Sequence, residues 1–354
     1  MNPDFKPAKD PFAHMFPIDL RSDTVTRPTP EMYQRMLEAP IGDDGLDGDP
    51  TVRELEETVA SQLGKQAGLF VPSCTMANLL AVLAQGGRNE QVVLEATAHM
   101  YTSERGAATF TGLFYLPVPG QAGAMDLARL EDAVQGGSHK LKTALIAIES
   151  SHNNAGGAVL PLEHMRGVQE IAQRRGIPVH LDGARMFNAA TALGVAPLDV
   201  ACFADTVSVC LSKGLSAPVG AVLAGARAVI DKARGLRRMI GGTQRQAGIM
   251  AAAGLEAVRH MHGRLGEDHA RARRFSDQLN AAGLPVRASL PQTNIVQVDV
   301  SATGRSSHQW VEALDAQGLR VRPWGSGLLR CVMHRHIADA DIERAEEIFR
   351  RVAR

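Results

Sequence analysis

Three short segments constrain this chain more than anything else in it: TALIAIES (143–150), IPVHLDG (177–183) and DTVSVCLSKG (205–214). Each is a β-branched, apolar run that ends in polar or charged residues. A strand with one wet face alternates, whereas a continuous run fits a strand covered on both faces. The helical PLEHMRGVQEIAQRRG between the first two supplies the crossover that a parallel pair needs. The same alternation holds upstream. Val52, Leu55, Val59 and Leu63 recur at helical spacing and Gly64 closes that helix. Strand AGLFVPS, helix CTMANLLAVLAQ, strands QVVLEA and GLFYLPVP, and helix MDLARLEDAVQ follow. This order predicts an α/β domain with a mostly parallel sheet flanked by helices.

A long helical stretch from about Gln246 to Ala282 joins this unit to a smaller α+β one. The latter has strands NIVQVDV, LRVRPW and LLRCVMH, with helices SSHQWVEALDAQG and DADIERAEEIFRRVAR. The expected division is a flexible N-terminal arm over 1–17, a large domain over 18–250 and a small C-terminal domain over 251–354. A chain of 354 residues has room for about two domains. No apolar run approaches the ~20 residues that cross a bilayer, and the N-terminus carries Pro, Asp and Lys where a signal peptide is apolar. Lys and Arg (38) balance Asp and Glu (38), so neither nucleic acid nor a membrane is an expected partner. Cys74, Cys202, Cys210 and Cys331 form no CxxC and there is no HExxH, so neither a disulfide framework nor a metal site is expected. A cytoplasmic location follows as the expectation.

Chemistry on such a sheet gathers beyond the carboxyl ends of its strands. Those ends carry Glu149–His152, Asp182–Arg185 and Lys213. Lysine is scarce here: seven of the 38 basic residues, and the other six sit in polar or helical-surface contexts. A partly desolvated Lys213 reads equally as a nucleophile toward carbonyls or as a strand-end amine reaching for water. Asp182 reads as an acid for a cationic cofactor nitrogen, or as a cap or ion-pair partner of Arg185. Ser73, Cys74 and Thr75 stand between a strand and a helix, where hydroxyls and N–H groups either hold an anion or cap the helix. Neither GxxxxGK[ST] nor a post-strand GxGxxG is present. His99 and His152 fall in loops after strands, as structural residues or as groups that stack on a cofactor or handle a proton. The basic run from Arg227 to Arg245 lacks interleaved aromatics and reads as a solvated or subunit-contacting face.

The segments DLRSDTVTRPTPEM, GDD…DPT, DGARMFNA, CLSKGLSAPVG and RRMIGGTQRQAGIMAAAGL together resemble those of L-threonine aldolases, from about Ile18 to the C-terminus. That resemblance implies the fold type I architecture of pyridoxal 5′-phosphate enzymes. It implies retro-aldol cleavage of a β-hydroxy-α-amino acid to glycine and an aldehyde, in a homo-oligomer, a dimer of dimers, with its active site at a subunit interface. By motif, Lys213 resembles the Schiff-base lysine, Asp182 the partner of the pyridine nitrogen and His99 the histidine stacked on the ring. Arg185 resembles the arginine near the phenolic oxygen and the substrate carboxylate. Ser73, Cys74 and Thr75 stand where the family grips the phosphate. Arg330, with Ser22 beside it, resembles the carboxylate clamp, and His152 the histidine near the β-hydroxyl and the candidate base. Arg238 and Arg245 resemble residues that reach a neighbouring subunit's site.

Three positions depart from the family pattern. Leu46 stands where a tyrosine lines the site, Cys74 replaces the phosphate-loop glycine, and Ser103 replaces an aromatic. They leave open a bulkier substrate, or transaldol, β-elimination or racemisation chemistry on the same cofactor. A non-catalytic pyridoxal-phosphate-binding protein is the remaining reading.

Overall fold

The computed structural model describes residues 17–354, so the arm expected over 1–17 lies, except for Pro17, outside the described residues. Seven strands make one sheet in the order Ala67–Val71, Ala221–Gly225, Thr206–Cys210, Val179–Gly183, Thr143–Glu149, Gln91–Glu95 and Phe114–Val118. All neighbours run parallel except Ala221–Gly225, which is antiparallel to both strands beside it. The strands within the three segments lie side by side in the middle, Thr143–Glu149, Val179–Gly183 and Thr206–Cys210 each buried at every residue. The strand AVLAG escaped notice because Ala and Gly carry little β-propensity.

Local chemistry sets the helices that cover this sheet. Asp49 caps Pro50–Gln62 by accepting from Thr51 and Val52, with Pro50 at the first helical position. Helix Leu162–Arg175 is the crossover between Thr143–Glu149 and Val179–Gly183, and Gly176 (φ 63°) ends it in the left-handed region. Helix Arg227–Met239 leaves Arg227, Lys232 and Arg238 exposed, as its composition suggests, but turns two arginines inward. Arg234 Nη2 pairs with Glu56 at 2.7 Å, while buried Arg237 donates to the Phe70 carbonyl at 2.7 Å and to Asp44 at 2.5 Å. Lys65 also differs from its expected surface role: its ammonium donates to the Ala201 and Ala204 carbonyls near the end of helix Pro197–Ala201.

A second body carries an antiparallel sheet ordered Arg287–Ala288, Ile295–Asp299, Leu328–Val332 and Arg322–Pro323. Leu265–Ala281, Ser307–Asp315 and Asp339–Ala353 pack on it. Its core centres on Trp310, stacked on Phe349 at 5.7 Å, with Phe275 edge-on to the same ring.

Two boundaries differ from the expected division. Ile18–Asp19 pairs with Leu319–Arg320, and Ile18 and Leu20 belong to the second core, not the first. The long helical stretch is broken by irregular turns at Ala257–Met261 and His262–Arg264. Residues through Leu265 pack in the first core, and Ala272, Phe275 and Leu279 in the second, so the handover falls near Leu265 rather than at 250. Periodicity reports that a helix has a buried face and says nothing of which core it meets.

Both tryptophans, Trp310 and Trp324, lie in the second body. Trp310→Ala removes its central ring and is expected to cost about 3–5 kcal/mol. Urea unfolding followed by Trp324 fluorescence checks this; an unchanged midpoint contradicts the core assignment.

Candidate active site

Strand register builds the site. Glu149 stands opposite Asp182, and Asp182 opposite Ser208, in one row across three strands. Residues in register project to the same face of a sheet. Helix Cys74–Gln85 lies over that row and meets it through Asn78. Ser208 Oγ (2.7 Å) and His180 Nε2 (3.1 Å) both approach Asn78 Oδ1. Burial pushes the His180 imidazole down to about 4, so it is neutral and its single N–H goes to Asn78 while Nδ1 accepts from Thr206 (2.9 Å). With its carbonyl occupied, Asn78 turns its amide N–H groups to Asp182 Oδ2 (2.9 Å) and Glu104 Oε1 (3.3 Å). The Ala184 N–H donates to Asp182 Oδ1 at 3.1 Å. Asp182 is thereby buried, oriented and furnished only with donors, as a carboxylate requires.

His99 opens the short helix His99–Thr102, and its main-chain N–H donates to Glu149 Oε2 at 2.6 Å. Its Nδ1 lies 2.9 Å from Glu104 Oε1, and that carboxylate raises the imidazole's pKa. Ligand atoms of His99, Glu104 and Asp182 all fall within 4.8 Å of one another. Lys213 leaves the strand Thr206–Cys210, its carbonyl gripped by the Thr26 hydroxyl (2.8 Å) and the Ser216 N–H (2.9 Å). Its ammonium acts electrostatically on Asp23, Cys74 and Cys210. Ser73 caps the twelve-residue helix through Met76 N–H (3.2 Å), with Cys74 and Thr75 at its first turn, where helix N–H groups favour an anion.

The arginines hold a surprise. Arg185 pairs not with Asp182 but with Asp23, through parallel bonds of 2.8 and 2.7 Å, both residues being buried. Burial raises the Asp23 carboxyl, yet Arg185, with Lys213 and Arg330 behind it, holds it far below the ordinary range. Arg185 Nη1 and Arg330 Nη2 also share one acceptor, Asn153 Oδ1, at 3.2 and 3.0 Å. Arg330 Nε is buried without a partner, and burial together with the like charge of Arg185 pushes its pKa down to about 9. A buried cation so placed calls for an anion. The sequence reading passed over Asp23, Asn78, Glu104 and Asn153. Asp23 stands in the DLRSDT block next to Ser22, which caps the turn by accepting from Thr24 N–H (3.3 Å).

Other expected residues lie apart. His152 is 0 % exposed: Nδ1 accepts from the Ala155 N–H (3.2 Å) and Nε2 lies 3.2 Å from Glu95. Burial opposes its charge, but Glu95 and then Glu149 outweigh that and raise its pKa. Neither nitrogen opens to the site. Arg245, 69 % exposed at its side chain, meets Asp43, and Arg238 is exposed. Leu46 is 77 % exposed rather than lining this chain's own site; Ser103 is also exposed.

Together these residues present an amine, an oriented acid, an imidazole and a helix N-terminus at one sheet edge. That donor set fits the aldehyde, ring nitrogen, ring face and phosphate of pyridoxal phosphate, and the two arginines add a place for a carboxylate. Such a fold and donor set fit an enzyme that works with pyridoxal phosphate. The chain belongs to the beta-eliminating lyase family, whose model matches residues 19–303. Among its relatives is a probable low-specificity L-threonine aldolase 2 of Arabidopsis thaliana, 39% identical over 343 residues, covering 95% of this chain and 97% of that protein. The solved threonine aldolase of Leishmania major shares the fold at a TM-score of 0.80 and 18% identity, over 96% of this chain and 100% of that one. A solved structure of SPT with PLP matches at 0.75 and 19% identity, over 95% and 87%.

Asp23→Asn leaves Arg185 buried without a counter-charge and is expected to cost about 3–5 kcal/mol at neutral pH. Because the folded carboxyl titrates below its unfolded value of about 3.9, the pair contributes fully above that pH and fades as the pH falls through the folded value. Thermal melts of both proteins should therefore begin to draw together below about pH 4 and go on approaching as the pH falls further toward the folded value; a gap independent of pH contradicts this.

Proposed function

We propose that this chain is a pyridoxal-phosphate-dependent aldehyde-lyase that cleaves an L-β-hydroxy-α-amino acid to glycine and an aldehyde. L-threonine, L-allo-threonine or a bulkier analogue is the substrate. The observation that carries this reading is the convergence on one edge of Lys213, Asp182 and two buried arginines, one with an unpartnered Nε. The name of the Arabidopsis relative supports the reaction, and the structure of SPT with PLP supports the cofactor.

When bound through Lys213, the cofactor supplies an electron sink at the substrate's Cα. Asp182, held by Asn78 and Ala184, is the acid that would keep the ring nitrogen protonated. The first turn at Ser73, Cys74 and Thr75 holds the phosphate. Arg330 and Arg185 bind the α-carboxylate bidentately and fix the amino acid so that Cα–Cβ stands ready to break. Nδ1 of His99 is taken by Glu104, which would leave the imidazole face for the ring and Nε2 for the β-hydroxyl. His152, enclosed by Glu95 and Ala155, acts from behind by shaping the loop that presents Asn153.

The exposed Arg238, Arg245 and Leu46 act on a partner subunit's site, in a homo-oligomer built as a dimer of dimers. Among the described residues no helix is long and apolar enough to cross a membrane; the cytoplasm is the proposed location.

Purified enzyme with pyridoxal phosphate should release glycine and aldehyde from a panel of both L-threonine diastereomers, β-phenylserine and β-hydroxyaspartate. Ammonia and keto acid instead would reject the aldol reading. Borohydride should fix the cofactor to native protein but not to Lys213→Ala. Arg330→Ala should raise KM about 10–100-fold, as loss of a charged hydrogen bond does, with cofactor retention unchanged. His152→Ala should lower Tm while kcat stays within about tenfold; a fall of ~10²–10⁴ would make it the base after all.

A further inference from the structure

Two of the four cysteines, 136 positions apart in sequence, meet at the base of the site. Helix Cys74–Gln85 runs along strand Thr206–Cys210 with one side chain answering another. Gln85 Nε2 reaches Thr206 Oγ1 at 3.1 Å, Asn78 Oδ1 takes Ser208 Oγ at 2.7 Å, and Cys74 Sγ lies 3.5 Å from Ser208 Oγ. Cys210 follows two residues on and faces the same way. From the other side, Val71, Ala221 and Cys210 stand in register across three strands, which puts Val71 about 10 Å from Cys210. The chain then turns within two residues to bring Cys74 over that edge. Each thiol shifts the other's titration, and the Cys210 sulfur is 3.5 Å from Ser212 Oγ. Cys331 is sealed in the second core and Cys202 is on the surface, bonded to the Asp199 carbonyl.

We propose that Cys74 and Cys210 are an oxidisable pair, which a hydroperoxide converts to a disulfide joining the first turn of the phosphate-holding helix to the strand that ends at Lys213. The Cys74 thiol, against the cost of burial, and then Lys213 and Ser212 hold the Cys210 thiol below its ordinary range, so its sulfur is the nucleophile. That sulfur attacks the peroxide, the O–O bond breaks, an alcohol leaves and Cys210 becomes a sulfenic acid. Cys74 sulfur then displaces the sulfenic hydroxyl, which takes the Cys74 proton and departs as water. Two thiols lose two electrons and two protons; the hydroperoxide becomes alcohol and water. The bond draws the helix N-terminus toward the strand and alters the spacing between phosphate site and Lys213.

The test uses the pyridoxal-phosphate-loaded enzyme carrying Cys202→Ser, which removes the exposed thiol. After treatment with a hydroperoxide and alkylation without reduction, peptide mapping should find Cys74 joined to Cys210. Dithiothreitol should reverse the link, and Cys74→Ser or Cys210→Ser should prevent it. Cofactor retention in gel filtration should fall about tenfold, the weight of one charged contact, and recover on reduction. Both cysteines recovered alkylated, or a sulfinic acid on either in place of the link, would overturn the proposal. So would a link that leaves cofactor retention unchanged. The mapping reads sulfur chemistry alone, so its outcome is independent of whether the aldol reading holds.

Discussion

The Asp23–Arg185 pair is the interaction on which the rest of the site depends. Burying two charges is costly unless each is matched and hydrogen-bonded. Here the match is two parallel N–H···O bonds, with Asn294 of the second body 3.4 Å from the same carboxylate. Satisfying that carboxylate pulls the N-terminal segment out of the second body, where Ile18 and Leu20 are fixed, and across to the large sheet. On arrival Thr26 clasps the Lys213 carbonyl. One ion pair therefore joins the two bodies and sets the start of the lysine loop. It also consumes the nearest anion, so Arg330 stays under-satisfied, its Nε buried without a partner.

Beneath this pair lies a second device that works by elimination. His180 and Ser208 both donate to one amide oxygen, so Asn78 has no choice but to aim its N–H groups at the acids. Fully buried polar networks are tolerable only when each member is satisfied, and this one is satisfied in a single orientation. The result is a carboxylate held at a fixed place at the end of Val179–Gly183. Glu149 does related work one strand over, receiving the main-chain N–H groups of both His99 and Asn153. The imidazole and the shared acceptor of the two arginines thus hang from one side chain.

Much of the site was legible because the apolar runs end where the chemistry begins. Lys213, Asp182 and Arg185 follow runs that must be buried strands, and parallel strands deliver their ends to one edge. His99 could be placed by its loop, and the structure sets it beside Asp182. The reading failed where a residue's surroundings come from elsewhere in the chain. His152 sits in the right loop, yet Gly123 packs against its ring and Glu95 closes its other nitrogen. Arg237 lies in a run of basic residues that looks solvated, yet it reaches Asp44 in the acidic loop.

The sequence by itself determined the layers, the crossovers, the strand ends and so the kinds of side chain at the working edge, because hydrophobic runs, caps and spacing are local properties. Only the tertiary structure decided the partners. That Arg185 meets Asp23 rather than the Asp182 three residues before it, that Cys74 reaches Ser208, and that Ile18 joins the second body are contacts between segments far apart in the chain. Burial and charge pairing select among such contacts only after the segments have packed, and no window of sequence contains both halves of the choice.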